Sequence, residues 1–154
     1  MSQEAFMREA VALARANIEA GGRPFGAVLV RDGQIIARAA NQINQTSDPT
    51  AHAELLALRE AGGKLGTSRL DGCEVYASGH PCPMCLAAMR LAGIRAAYFA
   101  YSNEDGEPFG MSTSDVYAEL PALAVDGSAL LQPLRPAGEE GLYHAWSARQ
   151  VKHG

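Results

Sequence analysis

The sequence predicts a three-layer α/β/α domain around a central mixed sheet of five strands. Two observations carry this. Five short apolar runs are strand-sized, and the first two flank Asp32-Gly33, a strong hairpin signal. After that hairpin, segments with helical periodicity alternate with strand-like ones. A chain of 154 residues is one ordinary domain, so residues 1–154 are read as a single unit.

Residues 2 to 20 read as an amphipathic helix. Met7, Val11, Ala14 and Ile18 fall on one face, Ser2 caps the start and Gly21-Gly22 ends it. Phe25 to Arg31 and Gln34 to Ala39 are the two hairpin strands, and Asn41 to Pro49 is a polar loop. A helix opening at Thr50 or Ala51 carries His52 and Glu54 and stops at Gly62-Gly63. Glu74 to Ala77 is a short strand and Ser78 to Pro81 a turn. A second helix starts near Cys82 and runs to Gly93. Arg95 to Tyr101 reads as a buried strand and Asn103 to Thr113 as a loop. Ser114 to Leu120 is a short helix, Leu130 to Leu134 a last strand and Glu139 to Lys152 a terminal helix.

Composition narrows the function. Hydrophobic residues make up 47% and charged residues 19%, enough for a full core. The net charge is −4, and the 11 Arg and 2 Lys are scattered singly. No basic run offers a track for a phosphate backbone, which weighs against nucleic acid as the main partner. Charged residues interrupt the first twenty positions, so no signal peptide is expected there. No apolar run is long enough to span a membrane. Three cysteines do not make a disulfide framework, and thiolate metal ligands need a reducing compartment. The expectation is a cytoplasmic protein.

The chemistry concentrates in His52-Ala53-Glu54 and Pro81-Cys82-Pro83-Met84-Cys85. His52, Cys82 and Cys85 supply three ligands for one zinc ion per chain and leave a fourth position open. Glu54, a carboxylate that is not a ligand, stands ready to move protons, and this pairing is the signature of zinc deaminases. Cys82 and Cys85, three apart at a helix start, share a face, where the helix dipole favours thiolates. His52 and Glu54 pose a problem: two residues apart on a helix puts them about 200° apart. They converge only if the helix N-terminus points at the metal. A rival reading makes Cys73 a fourth ligand, which closes the site into a structural zinc module that binds a partner.

With these motifs and Asn41, the chain resembles the cytidine deaminase superfamily, and within it the small bacterial guanine deaminases and their relatives, the tRNA adenosine deaminases. Pro24-Phe25-Gly26-Ala27-Val28 is similar to the segment lining the pocket floor in that group. Tyr143-His144-Ala145-Trp146 resembles a stretch near the carboxyl end of guanine deaminases. The resemblance implies the cytidine-deaminase-like fold, zinc-dependent hydrolysis of an exocyclic amine, and a homodimer. It implies that Asn41, Phe25 and Ala53 bind a small nucleobase. Guanine is the first expectation; the alternatives are adenosine in tRNA, cytosine and aminotriazines. Two departures stand out. The acidic pair that reads the purine edge in guanine deaminases is replaced by Ser112-Thr113, with Asp115 and Glu107 the nearest acids to substitute. His80 stands where a Glu is usual.

Overall fold

The structure is a computed structural model that describes residues 2–153. Two compact units divide it, one running to Tyr117 and the other from Ala118. The first opens with helix α1, Gln3–Glu19, whose cap is the Ser2 hydroxyl accepting from the Ala5 N–H. Its buried face is Phe6, Ala10, Ala14 and Asn17, rotated by one position from the expected Met7–Ile18 stripe. Ile18 is exposed, and a polar residue takes the inward place.

Strands β1, Gly26–Arg31, and β2, Gln34–Ala40, form the expected antiparallel hairpin. Asp32 and Gly33 both have positive φ, 52° and 77°, the backbone that matches a two-residue turn to the twist of its strands. After a short helix α2, Ile43–Thr46, comes α3, Ala53–Leu65. Gly62 and Gly63 lie inside α3, which ends instead at Gly66 in the left-handed conformation. Strand β3, Cys73–Gly79, leads to α4, Pro83–Ala92, and on to β4, Ala96–Tyr101. The sheet order is β2-β1-β3-β4; β1 is antiparallel to both neighbours and β4 is parallel to β3, so the sheet is mixed.

The period-two pleat of β1 feeds two cores. Val28 and Val30 face one way and pack with Phe6 of α1 and Tyr76 of β3. Ala27 and Leu29 face the other way, toward Ala53, Ala57, Leu58 and Ala61 of α3 and Cys85 and Met89 of α4. This gives helix, sheet and helix layers. Gly26 lets α1 lie close, since a Cβ there would sit 2.4 Å from the Ala10 carbonyl oxygen.

Among the described residues the sheet has four strands rather than five. Leu130 to Leu134 forms no strand; Pro133 lies within it and Pro136 just beyond, and proline cannot donate to a ladder. Strand β4 is consequently the sheet's edge, and Tyr98, Phe99 and Tyr101 are exposed where the sequence predicts a buried strand. The 103–113 segment contains a one-turn helix α5, Asn103–Gly106, followed by a 3₁₀ turn at Glu107–Phe109. Helix α6, Ser114–Leu123, runs longer than expected and spans the boundary between the units. Within the second unit, α7 spans Leu142–His153. No helix among the described residues is long and apolar enough to cross a membrane.

Candidate functional site

Two helix N-termini build the site. His52 is not on α3 but is its N-cap, with extended backbone at φ −78° and ψ 147°. Glu54 lies in the first turn, at the second helical position. The 200° conflict therefore never arises: the extended cap sends the imidazole along the helix end while Glu54 reaches it from the first turn. Cys82 is the corresponding N-cap of α4, and its sulfur accepts from the Cys85 N–H at 3.5 Å. Pro83 at the first helical position costs nothing there, because that N–H has no intrahelical partner.

His52 Nδ1 lies 3.5 Å from Cys82 Sγ and 3.5 Å from Cys85 Sγ. These three donors form a potential metal-ligand group with all atoms within 4.8 Å of one another. The spacing fits zinc. Bonds of about 2.05 Å to nitrogen and 2.3 Å to sulfur, at a tetrahedral angle, separate N and S by roughly 3.6 Å. The donor set, one imidazole and two thiols, is the borderline-soft kind that zinc prefers.

Cys73 takes no part in this group. It begins β3, whereas Cys82 follows the far end of the same strand, and a seven-residue strand spans roughly 20 Å. The closed four-ligand site is thereby ruled out. Cys73 is fully buried in the core, and burial raises its thiol pKa.

The electrostatics suit ligand and proton carrier. The Cys85 thiol hydrogen-bonds to Cys82 and lowers the Cys82 pKa to about 4, with His52 adding to the effect against burial. Cys85 is shifted up for the reciprocal reason, with burial adding to it. The Cys82 sulfur also raises the His52 pKa above its usual value, against burial and the positive charge of Arg23. Glu54 is buried, and desolvation raises its carboxyl pKa, partly offset by its own backbone N–H and by His52.

A cavity of about 280 Å³ opens onto these groups, lined in part by Glu54, His52, Cys82, Asn41, Phe25 and Arg23. His80, Ser112 and Thr113 complete its polar lining. Five expected site residues, His52, Glu54, Cys82, Asn41 and Phe25, thus meet around one space. Cys85 lies behind them, fully buried. Ala53 is fully buried in the first turn of α3 and does not line the cavity. Asp115 sits exposed at the start of α6, also outside the lining, and Glu107 is exposed in the 3₁₀ turn. Neither acid takes the place of the missing pair; Ser112 and Thr113 do stand in the wall. His80 packs its ring 4.7 Å from Phe99 and edge-on to Tyr117.

Three contributors were not legible in the sequence. Asn17 donates to the carbonyls of Arg23 and Asn41 at 2.7 and 2.8 Å. Tyr117 donates to the carbonyl of Pro81, immediately before Cys82. Arg23 lines the cavity.

An open His-Cys-Cys metal site with a buried carboxylate beside it, at the helix ends of a mixed α/β sheet, defines a zinc hydrolase. The sequence matches the cytidine and deoxycytidylate deaminase zinc-binding region over residues 1–101. The chain belongs to that family of hydrolytic deaminases. It is 45% identical over 121 residues to guanine deaminase of Bacillus subtilis, covering 78% of each chain. It is 42% identical over 100 residues to the tRNA-specific adenosine deaminase of Aquifex aeolicus, covering 65% of this chain and 66% of that one. The crystal structure of the Bacillus subtilis guanine deaminase superposes with a TM-score of 0.85 at 39% identity, over 96% of this chain and 95% of the other. Guanine deaminase from Nitrosomonas europaea superposes at 0.69 with 36% identity, over 73% and 65%.

Proposed function

We propose that this enzyme removes the exocyclic amine of a free nucleobase, with guanine the first substrate, yielding xanthine and ammonia. The observation that carries this is the convergence of the three metal donors and Glu54 on one small cavity. Zinc held by His52, Cys82 and Cys85 would supply a water of lowered pKa, from 15.7 toward about 7. Glu54 is the proton carrier: its carboxylate accepts a proton from the attacking water and passes it to a ring nitrogen, then takes the remaining proton of the added hydroxyl and delivers it to the amine, which departs as ammonia while the hydroxyl oxygen becomes a carbonyl. Its raised pKa suits both halves of that task. Asn41 holds the ring through its side-chain amide, and Phe25 supplies an apolar wall.

The free base is favoured over RNA by three features. The cavity is small, the chain is acidic, and the two guanine deaminases named above are among its relatives. Adenosine in tRNA is the second reading, favoured by the similarity to tRNA-specific deaminases. An ammonia-release screen over guanine, adenine, cytosine, an aminotriazine and a tRNA anticodon stem tests both. Turnover of the tRNA stem with none of the free bases would reverse their order. The proposal treats residues 1–154 as one functional domain, working in the cytoplasm as a homodimer. Exposed aromatic residues on β4 support association, and sedimentation reads it.

A further inference from the structure

The side chains around the cavity are unbalanced in hydrogen-bonding sense. Glu54 is the one carboxylate among them, and its task is proton transfer. Asn41 has its Oδ1 committed to the Ile43 N–H at 3.0 Å, so what remains for a ligand is its amide nitrogen, a donor. Arg23 makes no ion pair among the described residues, and a guanidinium only donates. The Ser112 hydroxyl is closed on Ser114 at 3.0 Å, but the buried Thr113 Oγ1 has no hydrogen-bond partner. Among the described residues the lining thus offers the Arg23 guanidinium, the Asn41 amide nitrogen, the Thr113 hydroxyl and the His80 imidazole, whose sense depends on its tautomer, and no carboxylate beyond Glu54.

That wall is the wrong sense for ring N–H groups on the side of the base away from the scissile amine, which need acceptors. Donor facing donor leaves the ligand's N–H without a partner once it has left water, while Arg23, which is exposed, keeps its own hydration. It is the right sense for carbonyl oxygens, unprotonated ring nitrogens or a ring anion, whose bonds to a guanidinium are charge-assisted and about twice as strong as neutral ones. The volume, about 280 Å³, lies at the lower edge of small-molecule sites, roughly 300–1,000 Å³. It suits a bare ring rather than a nucleotide, so the acceptor that Arg23 meets belongs to the ring itself.

We propose that this cavity selects, among amino-oxo heterocycles, those whose edge away from the scissile amine is acceptor-rich or ionises to a ring anion, and that Arg23 reads that edge. The inference rests on the free-base reading and narrows it.

The probe pair is guanine and 8-azaguanine. The latter replaces a ring C–H with nitrogen, which adds an acceptor and makes the neighbouring N–H more acidic. Binding is measured by calorimetry on zinc-loaded Glu54→Ala protein, which holds the ligand without turning it over. 8-Azaguanine should bind about tenfold more tightly than guanine above its own ionisation, and the advantage should shrink below it. Adding Arg23→Gln should abolish the advantage, and Arg23→Lys should keep part of it. In the otherwise wild-type enzyme, Arg23→Gln should lower the ratio of the two kcat/KM values by a similar factor. Equal binding of the two bases, or a ratio indifferent to Arg23→Gln, overturns the proposal while leaving free-base deamination standing. Guanosine 5′-monophosphate binding more tightly than either base also overturns it. If no free base is turned over and a tRNA loop is, the underlying reading has failed instead.

Discussion

The side-chain amide of Asn17 donates to the backbone carbonyl of Asn41 at 2.8 Å, tying α1 to the residue that would hold the substrate ring. Its second hydrogen reaches the Arg23 carbonyl at 2.7 Å, so one buried amide fixes two walls of the cavity. Neither bond touches the metal donors. Replacing Asn17 with Ala or with Asp, which cannot donate, should raise KM about tenfold with a smaller change in kcat and unchanged zinc content. The stability cost should be about 1–3 kcal/mol. Gly22→Ala offers an independent route, because a Cβ there would sit 2.5 Å from the Asn17 amide nitrogen. A lower Tm with KM unchanged would reduce Asn17 to a structural role.

The metal should bind at one zinc per chain and depend on His52, Cys82 and Cys85 alone. Cys85→Ala should lose zinc, since two protein ligands hold it poorly. Cys73→Ala should keep full zinc content by elemental analysis, because Cys73 lies at the other end of β3. The cost of that change should appear only in stability, as a small cavity in the core. Zinc lost from the Cys73 variant would contradict the open three-ligand site.

Glu54→Gln should retain zinc and fold but lose turnover by at least the roughly 10²–10⁴ that one acid–base step contributes. It should also stabilise the protein. Burial raises the Glu54 carboxyl above its ordinary 4.5, so the folded chain binds that proton more tightly than the unfolded chain does. Ionising Glu54 therefore costs stability as pH rises through 4.5 toward the higher folded value. In the metal-free protein at neutral pH, Glu54→Gln should melt above wild type, at roughly 2–4 °C per kcal/mol for a chain of this size. The gap should close as pH falls below 4.5. A gap that widens in acid would show that burial is not what governs this carboxyl.

The parts legible in the sequence were those with local causes. Asp32-Gly33 specified its hairpin because positive φ at both positions is a property of the turn itself. The metal donors were legible because ligand chemistry restricts residue type and spacing. What escaped depends on neighbours distant in the chain. The inward face of α1 turned by one position because Asn17 finds two backbone acceptors from the 23 and 41 segments, and Gly26 allows a close approach to Ala10. Apolar content suggested strands at Leu130–Leu134 and a buried β4. Strand pairing, which periodicity does not encode, left the first unformed and put the second at the sheet edge. The role of Cys73 was open until the length of β3 separated it from the site.

Tyr117 provides the last test, because it acts on the metal through a residue that is not a ligand. Its hydroxyl donates to the Pro81 carbonyl, and the peptide that follows carries Cys82, the N-cap of α4. Its ring meets His80, in the same turn, edge-on at 5.5 Å. Removing the hydroxyl frees the Pro81–Cys82 peptide to rotate and loosens the aim of the Cys82 sulfur. Groups that orient metal ligands in this way are typically worth about 10- to 100-fold in affinity. Tyr117→Phe keeps the ring and its packing, so Tm at saturating zinc should change little. Zinc should dissociate faster into a competing chelator, by about tenfold, and Tyr117→Ala should add a loss of stability. Chelator kinetics identical to wild type in Tyr117→Phe would mean that α4 and its proline alone fix Cys82.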